Sequence, residues 1–188
     1  MILLVIGVIT WAIIHLFPAV AAGTRARLLD KLGRGPYRGL FSLCIAAAVV
    51  LMVLGWKSTT PELVYVPLSL GPPLTGMVML IALILFFAAR ARTNIKRVIR
   101  HPQLTGVLVW AIAHLLSNGD SRSLVLFGGI GAWSVIQMIA TNRRDGPWIR
   151  PDTLPLRMDL VPVVIGIVAY GVLLWAHPWL FGVPAAQF

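Results

Sequence analysis

Arg100-His101-Pro102-Gln103-Leu104-Thr105-Gly106-Val107-Leu108-Val109-Trp110-Ala111-Ile112-Ala113-His114-Leu115-Leu116-Ser117-Asn118-Gly119-Asp120 is the stretch whose reading decides the fold. Pro102 suits the first turn of a helix, where its missing N–H would have no intrahelical acceptor. An apolar run from Gly106 to Leu116 follows, and Ser117-Asn118-Gly119-Asp120 ends it as a polar turn. The clearly apolar part is short beside the ~20 residues of a comfortable crossing. A histidine inside such a run is costly unless it has a partner, so His114 is the first candidate functional residue.

Working outward, the whole chain has the same character. It has 188 residues, is 59% hydrophobic with a mean hydropathy of +0.88, and is only 12% charged. Soluble domains lie near 45–50% apolar. The composition predicts an all-α fold, a polytopic membrane helix bundle occupying residues 1–188 as a single domain. No internal repeat is evident. Six transmembrane helices are expected, at about residues 2–22, 39–56, 74–91, 102–118, 123–140 and 160–181. The first has no basic segment before it and reads as a retained helix rather than a cleaved signal peptide.

The formal charge of +10 invites a nucleic-acid reading, but its distribution argues otherwise. Arg25, Arg27, Lys31, Arg34 and Arg38 fall in one connection between spans. Arg90, Arg92, Lys96, Arg97 and Arg100 fall in a second, and Arg143, Arg144, Arg150 and Arg157 in a third. Only Lys57 and Arg122 of the sixteen cationic residues lie elsewhere. Alternate basic loops follow the positive-inside rule, which puts both termini on the outer, periplasmic side of a bacterial inner membrane. A re-entrant hairpin made from the fourth and fifth spans would preserve the same parity. The expected partner of these charges is the lipid bilayer with its anionic headgroups, and no nucleic acid.

Few residues could carry chemistry. Cys44 is the only cysteine, so no internal disulfide can form. His177 lies among Trp175, Pro178 and Trp179 and reads as an interfacial residue. His101, beside Arg100 at a helix start, is either a solvated cap or a contact for an anionic group. His15 and His114 lie well inside apolar spans, His114 about 18 Å along its helix from the inner start at 1.5 Å per residue. They read either as a neutral pair able to hold one metal ion or as two histidines bonded to carbonyls of neighbouring helices. The Gly128…Ala132 spacing allows close approach of another backbone or a flat ligand. Zinc is poorly supported, and there is no buried carboxylate pair, no nucleophile elbow and no phosphate-cradling loop.

Arg100-His101-Pro102-Gln103-x-x-Gly106, then Trp110 and Ala113-His114, then Ser117-Asn118-Gly119-Asp120, resembles the NnrU family of bacterial membrane proteins, which includes the plant-type 15-cis-zeta-carotene isomerase. Ile14-His15-Leu16-Phe17-Pro18 and Asn142-Arg143-Arg144 extend the likeness over nearly the whole length. The resemblance implies a b-type haem with His15 and His114 as iron ligands. Gly128, Gly129 and Gly131 would make room for the macrocycle, and His101 and Arg100 would stand at the inner mouth, facing a propionate. It also implies a redox or accessory role in nitrite and nitric oxide metabolism, in denitrification, with a membrane redox partner or a homo-oligomer. Haem-dependent isomerisation of a carotenoid-like polyene is the alternative, although the chain lacks the longer extensions of the plant enzymes. The Arg-His-Pro-x-x-x-Gly pattern is also similar to isoprenylcysteine carboxyl methyltransferase, which would imply S-adenosylmethionine. The acidic pair of those enzymes has no counterpart here, where Ser134 and Gln137 stand instead.

Overall fold

The computed structural model describes residues 1–68 and 71–183. Ser69 and Leu70 of the expected outer loop, and residues 184–188, lie outside the described residues. Helix α1 is Ile2–Val20, α2 is Ala22–Leu32, α3 is Arg34–Ser58, α4 is Gly71–Ala88, α5 is Ile95–Val98 and α6 is Pro102–Ser117. The short α7, Ser121–Ser123, runs through a π-helical turn at Leu124–Gly128 into α8, Gly129–Asp145. A 3-10 turn at Leu156–Asp159 leads into α9, Leu160–Phe181. The fold is all-helical. Among the described residues there is no strand, only an isolated antiparallel bridge between Leu63 and Asp120.

Four helical stretches are long and apolar enough to cross a bilayer: Ile2–Val20, Arg34–Ser58, Ser121–Asp145 and Leu156–Phe181. Leu74–Ala88 and Pro102–Ser117 are apolar but shorter. Large apolar side chains stand outward along these helices, among them Ile6, Ile9 and Ile13 on α1 and Val164, Ile167 and Val168 on α9. Water would penalise so much exposed hydrocarbon, and lipid would not. This is a membrane protein.

The chain packs as two compact units, each discontinuous in sequence: Met1–Val64 with Asp120–Gly146, and Tyr65–Gly119 with Pro147–Phe188. In the first unit α1 lies between α3 and α8. Glycines set the spacing. A Cβ on Gly7 would stand 2.7 Å from both the Met52 backbone nitrogen and its side chain, and one on Gly129 would meet Val8 at 2.6 Å. In the second unit α4 lies between α6 and α9. There a Cβ on Gly106 would stand 2.7 Å from the Ala82 carbonyl oxygen, and one on Gly166 would meet Ile84 at 2.7 Å. Close backbone contact between small residues supplies dispersion energy that burial of hydrocarbon cannot supply inside lipid.

The first basic connection departs from expectation. A loop was expected over residues 23–38; instead α2 occupies most of it, and Gly33 at φ +79° makes the break before α3. Leu28, Leu29 and Leu32 share one side of α2 with Arg25, and Arg27 and Lys31 stand on the other, so the segment is a basic amphipathic helix, suited to a headgroup layer. The other basic connections are tied together in the second unit. Asp159 accepts hydrogen bonds from Thr93 Oγ1 at 2.6 Å and Asn94 N–H at 2.7 Å, while the Asn94 side-chain amide donates to the Leu154 carbonyl at 2.9 Å and accepts from Leu154 N–H at 2.8 Å.

Candidate functional site

The first unit places His15 near the end of α1, half-buried, four residues after Trp11 and three before Pro18. Its Nδ1 lies 3.0 Å from the Trp11 carbonyl oxygen. An acceptor there selects the tautomer with the proton on Nδ1 and leaves the ring's lone pair on Nε2. Aromatic rings enclose the imidazole. Trp11 lies 4.0 Å away between centroids, Trp133 of α8 at 5.1 Å and Phe41 of α3 at 5.9 Å.

In the second unit His114 on α6 makes the same local contacts with the residue four before it. Its Nδ1 lies 2.9 Å from the Trp110 carbonyl oxygen, and the Trp110 ring is 4.9 Å from the imidazole. The correspondence extends backward along both helices. Gly7-Val8-x-x-Trp11-Ala12-Ile13-x-His15-Leu16 and Gly106-Val107-x-x-Trp110-Ala111-Ile112-x-His114-Leu115 share seven of ten residues. Their glycines do the same work: a Cβ on Gly7 would press on the Ala48 oxygen and Met52 nitrogen of α3, and one on Gly106 on the Ala82 oxygen and Phe86 nitrogen of α4. No repeat was expected, yet this one is present in both residue identity and packing.

Each histidine thus bonds through Nδ1 to a carbonyl of its own helix. That bond would satisfy a plain buried histidine, and it also occupies the nitrogen that a metal-ligating histidine ordinarily gives to a carbonyl or carboxylate. An imidazole whose Nδ1 proton is held in this way has the donor chemistry of a metal ligand at its other nitrogen. Among the described residues no group of three or more His, Cys, Asp or Glu comes together.

The remaining candidates lie at helix ends and helix contacts. His101 precedes Pro102, and its carbonyl accepts both Thr105 N–H at 2.9 Å and Thr105 Oγ1 at 3.0 Å, which starts α6; Arg100 is the residue before it. Gly129 admits Val8 of α1, whereas a Cβ on Gly128 would meet only Leu124 of its own helix. Asn118 closes α6 by donating from Nδ2 to the His114 carbonyl at 2.8 Å, and Tyr65 OH donates to the Asn118 carbonyl at 2.8 Å. Thr75 and Ser117 hydroxyls bond to each other. Asp120 caps the next helix. His177 is partly buried and bonds through Nδ1 to the Val183 carbonyl at 2.7 Å.

A family model described as NnrU protein matches residues 3–185 of the chain. The chain belongs to the NnrU family. No curated protein and no solved structure matches it.

Within this NnrU fold, Trp133, which packs against His15, and Tyr37, which stacks on Phe41, were not singled out from sequence. Trp11 Nε1, Trp133 Nε1, Gln137 Oε1 and Tyr37 OH are all buried without a hydrogen-bond partner. Trp133 is 7% exposed, so water cannot readily satisfy it. Each such group costs roughly 1–3 kcal/mol. Trp133 and Gln137, four apart on α8, carried a helical-face signal. Tyr37 did not, because it fell in what read as a loop.

Proposed function

We propose that this NnrU-family protein is a multi-pass protein of the bacterial inner membrane that holds b-type haem through His15 and His114, with an electron-transfer or accessory role in nitrite and nitric oxide metabolism. The observation that carries the reading is the repeated Gly-x-x-x-Trp-x-x-x-His arrangement, with Nδ1 on the tryptophan carbonyl in both copies. A histidine kept only for packing has no need to recur with its carbonyl and indole partner. A pair of ligands does, because both rings must be neutral, oriented and present the same nitrogen.

Bound haem would supply a one-electron couple, and holding its iron through both imidazoles would suit electron transfer or redox sensing. The chain's own contribution is orientation. The Trp11 and Trp110 carbonyls hold the Nδ1 protons, and the indole faces restrict ring rotation. Six crossings, with Leu74–Ala88 and Pro102–Ser117 spanning alongside the four longer helices and both termini outside, are part of the same proposal.

The test is an absorption spectrum of the purified protein with added haem. A Soret band typical of six-coordinate haem is expected, and it should be lost or shifted in both His15→Ala and His114→Ala. No Soret band in the wild type would refute the haem reading. A band unmoved by either substitution would refute the ligand assignment.

A further inference from the structure

A cavity of about 320 Å³ opens beside His15 in the first unit, lined by Pro18, Arg25, Tyr37, Arg38, Phe41 and Ser42. Pro18 stands one turn beyond His15 on α1, and Phe41 is the ring that meets the imidazole edge-on. The cavity therefore begins where the histidine's aromatic enclosure ends. At its outer end Arg25 sits over the Tyr37 ring at 6.0 Å. Among the described residues neither Arg25 nor Arg38 is in an ion pair. Tyr37 OH, stacked on Phe41 at 6.4 Å between centroids, is buried with no partner.

We propose that this cavity seats the carboxylate arms of the tetrapyrrole that His15 would ligate. The proposal rests on the haem reading and replaces Arg100 and His101 as the anion contacts. Two guanidinium groups match two carboxylates in charge, and each can accept a carboxylate in the forked geometry that lysine lacks. The unpartnered tyrosine hydroxyl supplies a further donor to the same anion. A phosphodiester headgroup carries a single charge and would leave one guanidinium uncompensated. The aromatic wall of Tyr37, Phe41 and His15 then continues from the anionic end toward the ligand nitrogen, as an amphipathic flat molecule requires.

Metal-free protoporphyrin IX and its dimethyl ester separate this idea from the ligand assignment. Binding to the full chain in detergent would be followed by quenching of tryptophan fluorescence. The diacid should bind more tightly than the ester by about tenfold or more, the scale of one charge-assisted hydrogen bond. Arg25→Gln, Arg38→Gln and Tyr37→Phe should each weaken the diacid and leave the ester unchanged, while Lys31→Gln should alter neither. Equal affinity for acid and ester on the wild type, which involves no substitution at all, would overturn the proposal. So would diacid binding indifferent to both arginine substitutions, even if added haem gave a His15-dependent Soret band; the ligand reading would then survive alone. If the diacid binds in an arginine-dependent way and haem gives no such band, the cavity assignment stands and the ligand reading falls. No binding of either porphyrin refutes both.

Discussion

At Asp120, burial by itself would push the carboxyl pKa up. Hydrogen bonds from the Ser123 hydroxyl and from the Ser123 and Arg122 backbone N–H groups, together with the Arg122 guanidinium, outweigh burial and hold the group below its ordinary value. A depressed carboxylate contributes stability that is complete above its unfolded pKa and is lost as pH falls through the lower folded one. Asp120→Ala should therefore lower stability by about 1 kcal/mol near neutral pH, the usual cost of losing an N-cap. The gap between variant and wild type should close below pH 3.8, the ordinary value of this group. Thermal unfolding in detergent at pH 7 and at strongly acidic pH checks this, and a gap that is the same at both would contradict it. Asp120 was legible as a turn residue in the Ser-Asn-Gly-Asp run. Its role as a cap for α7 was not, because the polar run alone does not say which helix it serves.

The helix pairs owe their closeness to glycine. Gly7→Ala and Gly106→Ala each place a methyl group 2.7 Å from backbone atoms of the facing helix, where no side chain can swing aside. Each should cost about 1–3 kcal/mol, the ordinary range for overpacking. Gly23→Ala is the control, since a Cβ there meets nothing within 4 Å and alanine is the better helix former. It should leave the unfolding temperature unchanged or raise it slightly. Equal loss of stability from Gly7→Ala and Gly23→Ala would mean that backbone contact is not what sets α1 against α3. Hydropathy located the four long apolar stretches and the two shorter apolar helices, and matched α9 at Leu160–Phe181. It missed α2, because an amphipathic surface helix has a low mean hydropathy and reads as a loop when only apolar runs are sought.

The whole molecule poses the question of topology. Four stretches have the length and apolarity to cross, and α6, at sixteen residues, reaches only about 24 Å at 1.5 Å per residue against a core near 30 Å. Such a helix can still cross where the bilayer thins or its polar ends snorkel. Cys44→Ala followed by single cysteines at Lys31, Glu62, Arg97, Asp120, Arg150 and Val183 provides the measurement. Six crossings require Lys31, Arg97 and Arg150 to label from the cytoplasmic face, and Glu62, Asp120 and Val183 from the opposite one. Labelling of Asp120 and Arg97 from one face would remove α6 as a crossing.

Local properties were readable without coordinates: apolar content, helical spacing, the basic connections, and the two histidines in hydrocarbon, each of which depends only on residues near it in the chain. Which helices share a unit was not readable, since lipid-facing and helix-facing apolar side chains look alike in sequence. Tertiary structure decided that α1 packs with α3 and α8 while α6 packs with α4, through notches at Ala48 and Ala82 into which glycines fit. It also brought Phe41 and Trp133, distant along the chain, against His15 and stacked Tyr37 on Phe41, where burial leaves Trp133 Nε1 and Tyr37 OH without partners.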